Sequence, residues 1–122
     1  EDHPLALGTA SIIRPKTVSV FMGKADVVLG VGCSLARHYM QFRIPAGKTI
    51  IQITNEDRDI NKDTPVGYPI IGDAKLVLVE LIELVKKKLG KDGRKGESAV
   101  AREIKKVKDE WLAEWMPKLT SE

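Results

Sequence analysis

Glycines and small polar residues follow three apolar segments of the chain, and they are the residues best suited to bind a ligand. If the segments are parallel strands, their carboxyl ends meet at one edge of a sheet, where a glycine lets the backbone approach a phosphate. Hydroxyl and carboxylate oxygens at the same edge can accept hydrogen bonds from ribose. The residues at this edge that could bind a nucleotide are Gly32, Thr54, Asn55, Gly72, Asp73 and Ala74.

Each of these positions also has a structural interpretation, and the residues alone leave both open. Gly30 and Gly32 form only half of a dinucleotide-binding motif, because Leu35 stands where a third glycine belongs. Thr54 can bind a hydroxyl or can cap the loop after its strand. Asp73 is equally suited to cap the helix that follows it.

Other reactive side chains give little support for catalysis in this chain. Cys33 is the only cysteine, which excludes an internal disulfide and suits a reducing cytoplasm. A single thiol of this kind is expected to act as a small hydrophobe. His3 and His38 are isolated and indicate neither a metal site nor a dyad. We therefore predict no catalytic residue and no metal site.

Composition excludes several classes of function. With 122 residues, 43% hydrophobic and 30% charged, the chain fits one globular domain and not a disordered protein. No apolar run approaches the ~18 residues of a membrane span. Aromatic residues, at 5%, are too few for a platform that stacks single-stranded nucleic acid. The net charge of +3 comes from lysines interspersed with acids late in the chain, which predicts a solvated helical face.

Three strands are predicted to position the groove: Asp26–Gly32, Thr49–Thr54 and Tyr68–Asp73. They are continuous apolar runs without alternation, which predicts burial on both faces of a parallel sheet. Their spacing of about 20 residues fits crossover connections and not hairpins. The expected fold class is therefore α/β.

Helices are predicted around these strands. The first spans Pro15–Lys24, and the clearest spans Ala74–Leu89 between the cap Asp73 and Gly90. Its apolar stripe is Leu78, Leu81, Ile82, Val85 and Leu89.

A glycine-rich linker over 90–97 precedes a last helix from Ser98 to Trp115, which we expect Pro117 to stop. Trp111 and Trp115 lie on one face of this helix and are candidate docking residues.

Five segments resemble, in order, the central domain of thiamine-diphosphate-dependent enzymes, the superfamily of acetolactate synthase, benzoylformate decarboxylase and oxalyl-CoA decarboxylase. The first is Glu1-Asp-His-Pro-Leu-Ala-Leu-Gly8, similar to that domain's "HPl-lG" segment. The others are Lys24–Gly32, Thr49–Thr54 with Asp59–Lys62 and Pro65, Tyr68–Ala74, and Trp115–Pro117.

The resemblance implies a Rossmann-like (DHS-like) three-layer fold, here a partial domain with about three parallel strands. Residues 1–89 would be the later half of that domain, 90–97 a flexible linker, and 98–122 an amphipathic helix that begins the connection to the next domain. The chain would then be a fragment, with its first strand at an exposed apolar edge that invites pairing with another chain.

The resemblance also implies where the cofactors bind. Thiamine diphosphate and Mg²⁺ would be held by flanking pyrimidine- and diphosphate-binding domains of a homo-oligomeric, cytoplasmic lyase or transferase. Central domains of the family bind FAD, ADP, a CoA substrate or nothing. By position, the resemblance implies that such a groove would be lined by Gly32, Cys33, Ser34, Leu35, Thr54, Asn55, Gly72, Asp73 and Ala74. Thr54 replaces the usual acidic residue, and Ser34–Arg37 replaces the flavin-binding Arg-Phe-Asp pattern, which favours a groove without nucleotide.

Three functional hypotheses follow. The first is a piece of a thiamine-diphosphate enzyme acting on 2-oxo acids, in which this segment is a scaffold with a nucleotide groove. The second is a free-standing Rossmann-like module that binds a nucleotide without catalysis. The third is a structural domain that docks through Trp111 and Trp115.

Overall fold

The computed structural model describes residues 3–9, 15–37, 43–90 and 97–120. It contains two compact units. The sheet unit comprises residues 25–39 and 45–94, and the helical unit comprises residues 1–24, 40–44 and 95–122. His38 and most of the predicted linker, residues 91–96, lie outside the described residues. The division into domains proposed from the sequence remains a prediction.

The sheet unit is built on three parallel strands in the order β1-β2-β3. Their bounds are Val27–Val31 for β1, Thr49–Thr54 for β2 and Tyr68–Ile71 for β3. The ladder continues past the carboxyl ends, because the N–H of Gly32 donates to the carbonyl of Ile53 at 2.9 Å and the N–H of Gly72 donates to that of Thr54 at 2.8 Å. The predicted α/β class and parallel sheet are confirmed.

The prediction that all three strands are buried on both faces is wrong for the outer two. Only β2 carries fully covered apolar side chains, Ile50 and Ile53, at 5% and 0% exposure. All four residues of β3 are exposed, and Val27, Leu29 and Val31 of β1 are exposed on one face. The reason is the lack of covering layers, since the described parts of both crossover connections contain no α-helix. Apolar strand composition therefore overstated the burial.

Helix α2 spans Ala74–Leu89 and confirms the predicted bounds. The carboxylate of Asp73 accepts the N–H of Leu76 at 3.1 Å, and Gly90, with φ of 78°, closes the last turn through its N–H to Lys86. The helix contacts β2, but no residue within it is buried. Its predicted apolar stripe is thus formed but largely uncovered, with Ile82 50% exposed.

The helical unit pairs α1, Lys16–Lys24, with α3, Glu97–Leu119. Thr17 and Val18 of α1 and Ile104 of α3 form its small core. The hydroxyl of Thr17 donates to the carbonyl of Leu7 at 2.9 Å and ties the N-terminal segment to α1. Ion pairs between the two helices join Lys24 to Glu103 and Lys16 to Glu110.

Helix α3 does not stop at Pro117, contrary to the prediction. Proline removes one N–H and so deletes one bond of the helical ladder, but the backbone N–H of Thr120 still reaches the carbonyl of Met116 at 3.0 Å. The helix therefore extends to Leu119. Trp111 and Trp115 do share a face, with ring centroids 6.2 Å apart and planes at 25°.

Candidate functional site

The carboxyl edge of the sheet brings the predicted groove residues together at the ends of β1, β2 and β3. The end of β1 lies beside the start of α2, because a Cβ placed on Gly32 would be in van der Waals contact with the Cβ of Ala74, at 3.7 Å. Gly32 has a φ of 60°, which an L side chain adopts only with strain. The backbone conformation at Gly32, rather than a lack of space, therefore favours glycine.

The loop after β1 folds back onto the sheet. A Cβ placed on Gly30 would lie 3.0 Å from the sulfur of Cys33 and 3.1 Å from a methyl carbon of Leu35, closer than side chains normally pack. Leu35 itself has a φ of 48°. Cys33 and Leu35 thus pack against the strand and cover Gly30, which is buried.

The polar side chains of the predicted groove are engaged in local hydrogen bonds. The hydroxyls of Ser34 and Thr54 each accept the backbone N–H two residues further along, at 3.3 and 3.2 Å. The carboxylate of Asp73 accepts the N–H three residues along, as an N-cap does. Thr54 is only 3% exposed, whereas Asn55 is exposed. These bonds match the structural interpretations offered for Thr54 and Asp73.

Gln52 is a central residue of this edge that the sequence-based prediction missed. It lies in β2 with 0% exposure, and its Nε2 donates to the carbonyl of Cys33 at 2.9 Å and to that of Asp59 at 3.4 Å. Its Oε1 is buried and has no hydrogen-bond partner among the described residues. The signal was available, because a lone amide interrupts the apolar run from Ile50 to Ile53.

Gln52 is one of several links between the loops that follow β1 and β2. The hydroxyl of Thr64 donates to the carbonyl of Leu35 at 3.1 Å, and the N–H of Arg37 donates to the carboxylate of Asp63 at 2.8 Å. A short 3₁₀ helix, Asp57–Asp59, presents the carbonyl that Gln52 binds. The carboxyl edge is thus an integrated structural element, held by side-chain bonds to backbone groups.

Metal ligation finds no support at the positions that the structure describes. Within residues 3–9, 15–37, 43–90 and 97–120, no group of three or more His, Cys, Asp or Glu side chains is arranged to hold a metal ion. Cys33 is a free, half-buried thiol. No helix in these same ranges is both long enough and apolar enough to cross a bilayer.

Comparison with known families identifies the protein family of this parallel sheet. The family described as thiamine pyrophosphate enzyme, central domain, matches residues 1–81, which include all three strands and the first half of α2. The chain belongs to this family. The family assignment made from the five sequence segments is confirmed.

Two curated proteins are similar to the chain, and both are named probable acetolactate synthase large subunit. The protein from Methanococcus aeolicus is 31% identical over 96 residues, covering 77% of this chain and 16% of that protein. The protein from Methanocaldococcus jannaschii is 34% identical over 85 residues, covering 67% of this chain and 14% of that protein. The chain therefore spans only about a sixth of the length of these relatives.

Proposed function

We propose that the chain is a scaffold segment within a thiamine-diphosphate-dependent enzyme that acts on 2-oxo acids, by decarboxylation or by carboligation of the resulting carbanion. The observation that carries the proposal is the family match over the whole parallel sheet. The names of the two relatives, which refer to acetolactate synthesis, support the carboligation branch.

The proposal places thiamine diphosphate and Mg²⁺ in other domains of the parent chain. The carboxyl edge fits neither group well, because its hydroxyls already accept local N–H bonds and Thr54 is covered. Mg²⁺ in such enzymes needs oxygen ligands in octahedral arrangement, and the described residues present no suitable cluster. The parent would be a cytoplasmic homo-oligomer in which this segment connects the cofactor-binding domains.

We further infer that the groove at the carboxyl edge binds no nucleotide. Asp73 caps α2, and the loop carrying Cys33 and Leu35 packs down onto Gly30. The hydroxyls of Ser34 and Thr54 likewise accept local N–H groups, which leaves fewer acceptors for the ribose of FAD or ADP. The geometry does not favour the hypothesis of a free-standing nucleotide-binding module. That hypothesis predicts that FAD, ADP or NAD raises the melting temperature of the chain.

The experiment for the enzymatic role uses the protein encoded by the complete reading frame. After dialysis against a chelator, it is assayed for CO₂ release from a panel of 2-oxo acids, with thiamine diphosphate and Mg²⁺ added separately and together. We expect turnover only when both are present. Turnover without thiamine diphosphate, or no turnover with any 2-oxo acid, would contradict the proposal.

A further inference from the structure

The helical unit contains a groove that the family assignment does not explain. It has a volume of about 420 Å³ and lies between the N-terminal residues His3 and Pro4 and the middle of α3. This volume is within the usual range of small-molecule sites, roughly 300 to 1,000 Å³. α3 lies outside the residues matched by the family, so the groove is partly built from a segment that the family match does not cover.

The groove combines an apolar floor with a basic rim. Its floor includes Ile104, which is 3% exposed, together with Pro4 and Leu112. Its rim carries Arg102, Lys105 and Lys108, which recur every three residues along one side of α3.

Within the part of the chain that the structure describes, one of the three rim cations is paired with a carboxylate. Lys105 pairs with Asp109, which also lines the groove, at 2.5 Å. No ion pair joins Arg102 or Lys108 to a carboxylate of the described residues, although Glu103 and Glu110 lie on the same helix and pair with lysines of α1. Among the described residues, two positive charges of the rim therefore have no ion-paired carboxylate and lie beside an apolar surface.

We propose that this groove binds a small amphipathic organic anion, with its acidic group between Arg102 and Lys108 and its apolar body over Ile104 and Leu112. Charge complementarity selects the anion, and the apolar floor selects a ligand with a hydrocarbon body over an inorganic ion. A carboxylate and a phosphate monoester share this chemistry. Arginine binds either one through two parallel hydrogen bonds, and the lysine contributes a point charge.

The test titrates the full chain with octanoate at physiological ionic strength, by calorimetry and by NMR chemical-shift changes. Octyl phosphate distinguishes the two acidic groups, octanol removes the charge, and inorganic phosphate and acetate remove the apolar body. The variant R102E/K108E reverses both unmatched charges. The variant K87E/K88E makes the same net change at exposed positions of α2 that do not line the groove.

We expect saturable binding of octanoate or octyl phosphate, weakened about tenfold or more by R102E/K108E and unchanged by K87E/K88E. Binding should weaken as salt is raised, because the rim is solvent-accessible. Circular dichroism of each variant verifies that the fold is retained, and R102Q serves as a milder change if the double variant unfolds.

Several outcomes would overturn the proposal. One is the absence of binding by either octyl anion. A second is that octanol or inorganic phosphate binds as tightly as octanoate and octyl phosphate. A third is that R102E/K108E and K87E/K88E bind octanoate with equal affinity. The groove's lining lies mostly in α3, which the family match does not cover, so none of these results bears on the proposed thiamine-diphosphate enzyme. Conversely, failure of the enzymatic proposal would not change the outcome expected for the groove.

Discussion

The buried amide of Gln52 gives the sharpest prediction, because replacing it with two side chains of similar size separates hydrogen bonding from charge. Gln52 is fully covered, donates to the carbonyls of Cys33 and Asp59, and leaves its Oε1 without a partner among the described residues. Q52M removes the amide and keeps the shape. Q52E puts an oxygen where Nε2 donates, so that a carboxylate would face two carbonyls.

The magnitudes follow from these contacts. Q52M loses one good hydrogen bond of 2.9 Å and one long one of 3.4 Å but also removes an unsatisfied oxygen, so we expect a net loss of about 1 kcal/mol. Q52E buries an unpaired charge beside two acceptors, for which we expect a loss of about 3 to 5 kcal/mol at pH 7. The difference should shrink as pH falls, because a protonated carboxyl restores one donor.

The assay is urea unfolding of the full chain, followed by circular dichroism at pH 7 and at pH 5 for wild type, Q52M and Q52E. The predicted order of unfolding midpoints at pH 7 is wild type, then Q52M, then Q52E. A Q52E protein that is unfolded at pH 7 but gains structure at pH 5 would agree with the reasoning. Equal midpoints for Q52M and Q52E at pH 7 would refute it, since the amide would then not be in a dry, donor-poor environment.

Four further predictions concern single contacts. D73A should lower the free energy of unfolding by about 1 kcal/mol and D73N by much less, because asparagine keeps the cap; equal losses in urea unfolding would point to a role for the charge. G32A should lower the free energy of unfolding by about 1 kcal/mol, because Gly32 has a φ of 60°. G23A, in α1 where an added Cβ meets no atom within 4 Å, should raise it by a few tenths of a kcal/mol. A higher free energy of unfolding for both variants would contradict the positive φ at Gly32. L29K, at a residue 42% exposed in the edge strand β1, should reduce self-association in sedimentation experiments, and an unchanged mass would show that this edge is not adhesive. W111A should weaken the assembly of this segment with its docking partner, while circular dichroism shows that the fold is retained. Unchanged assembly would contradict a docking role for the face that carries Trp111.

The sequence was most informative where local chemistry determines the structure. Asp73 and Gly90 specify the two ends of α2 through a side-chain acceptor and a positive φ, and both ends were predicted correctly. The apolar runs and their long spacing likewise predicted three parallel strands. These features depend on neighbours within a few residues or on chain length, which the sequence contains directly.

Prediction failed where the outcome depends on what covers a surface. Apolar composition indicates that a strand can be buried, but every position of β3 is exposed, because the described part of the chain covers it too little. Similarly, Pro117 was expected to end α3, yet it falls in the last turn, where one missing hydrogen bond is tolerated.

The candidate site shows the same division. The residues predicted for the groove do gather at the carboxyl edge, because parallel strands end there together. The sequence left the choice between local and ligand hydrogen bonds open, since Ser34 and Thr54 can bond to their own backbone as readily as to a ligand. Gln52 was overlooked because its role depends on hydrogen bonds to two backbone carbonyls. One belongs to Cys33, which is distant in the sequence, and the other to Asp59, in the irregular loop after β2.

The most direct test of the account compares this 122-residue chain with the product of the complete reading frame in calorimetric titrations with thiamine diphosphate and Mg²⁺. Saturable heat with the complete product and none with the chain alone is the predicted result, because the segment is proposed to support the cofactor-binding domains without contributing ligands. Saturable binding to the chain alone, or none to the complete product, would contradict it.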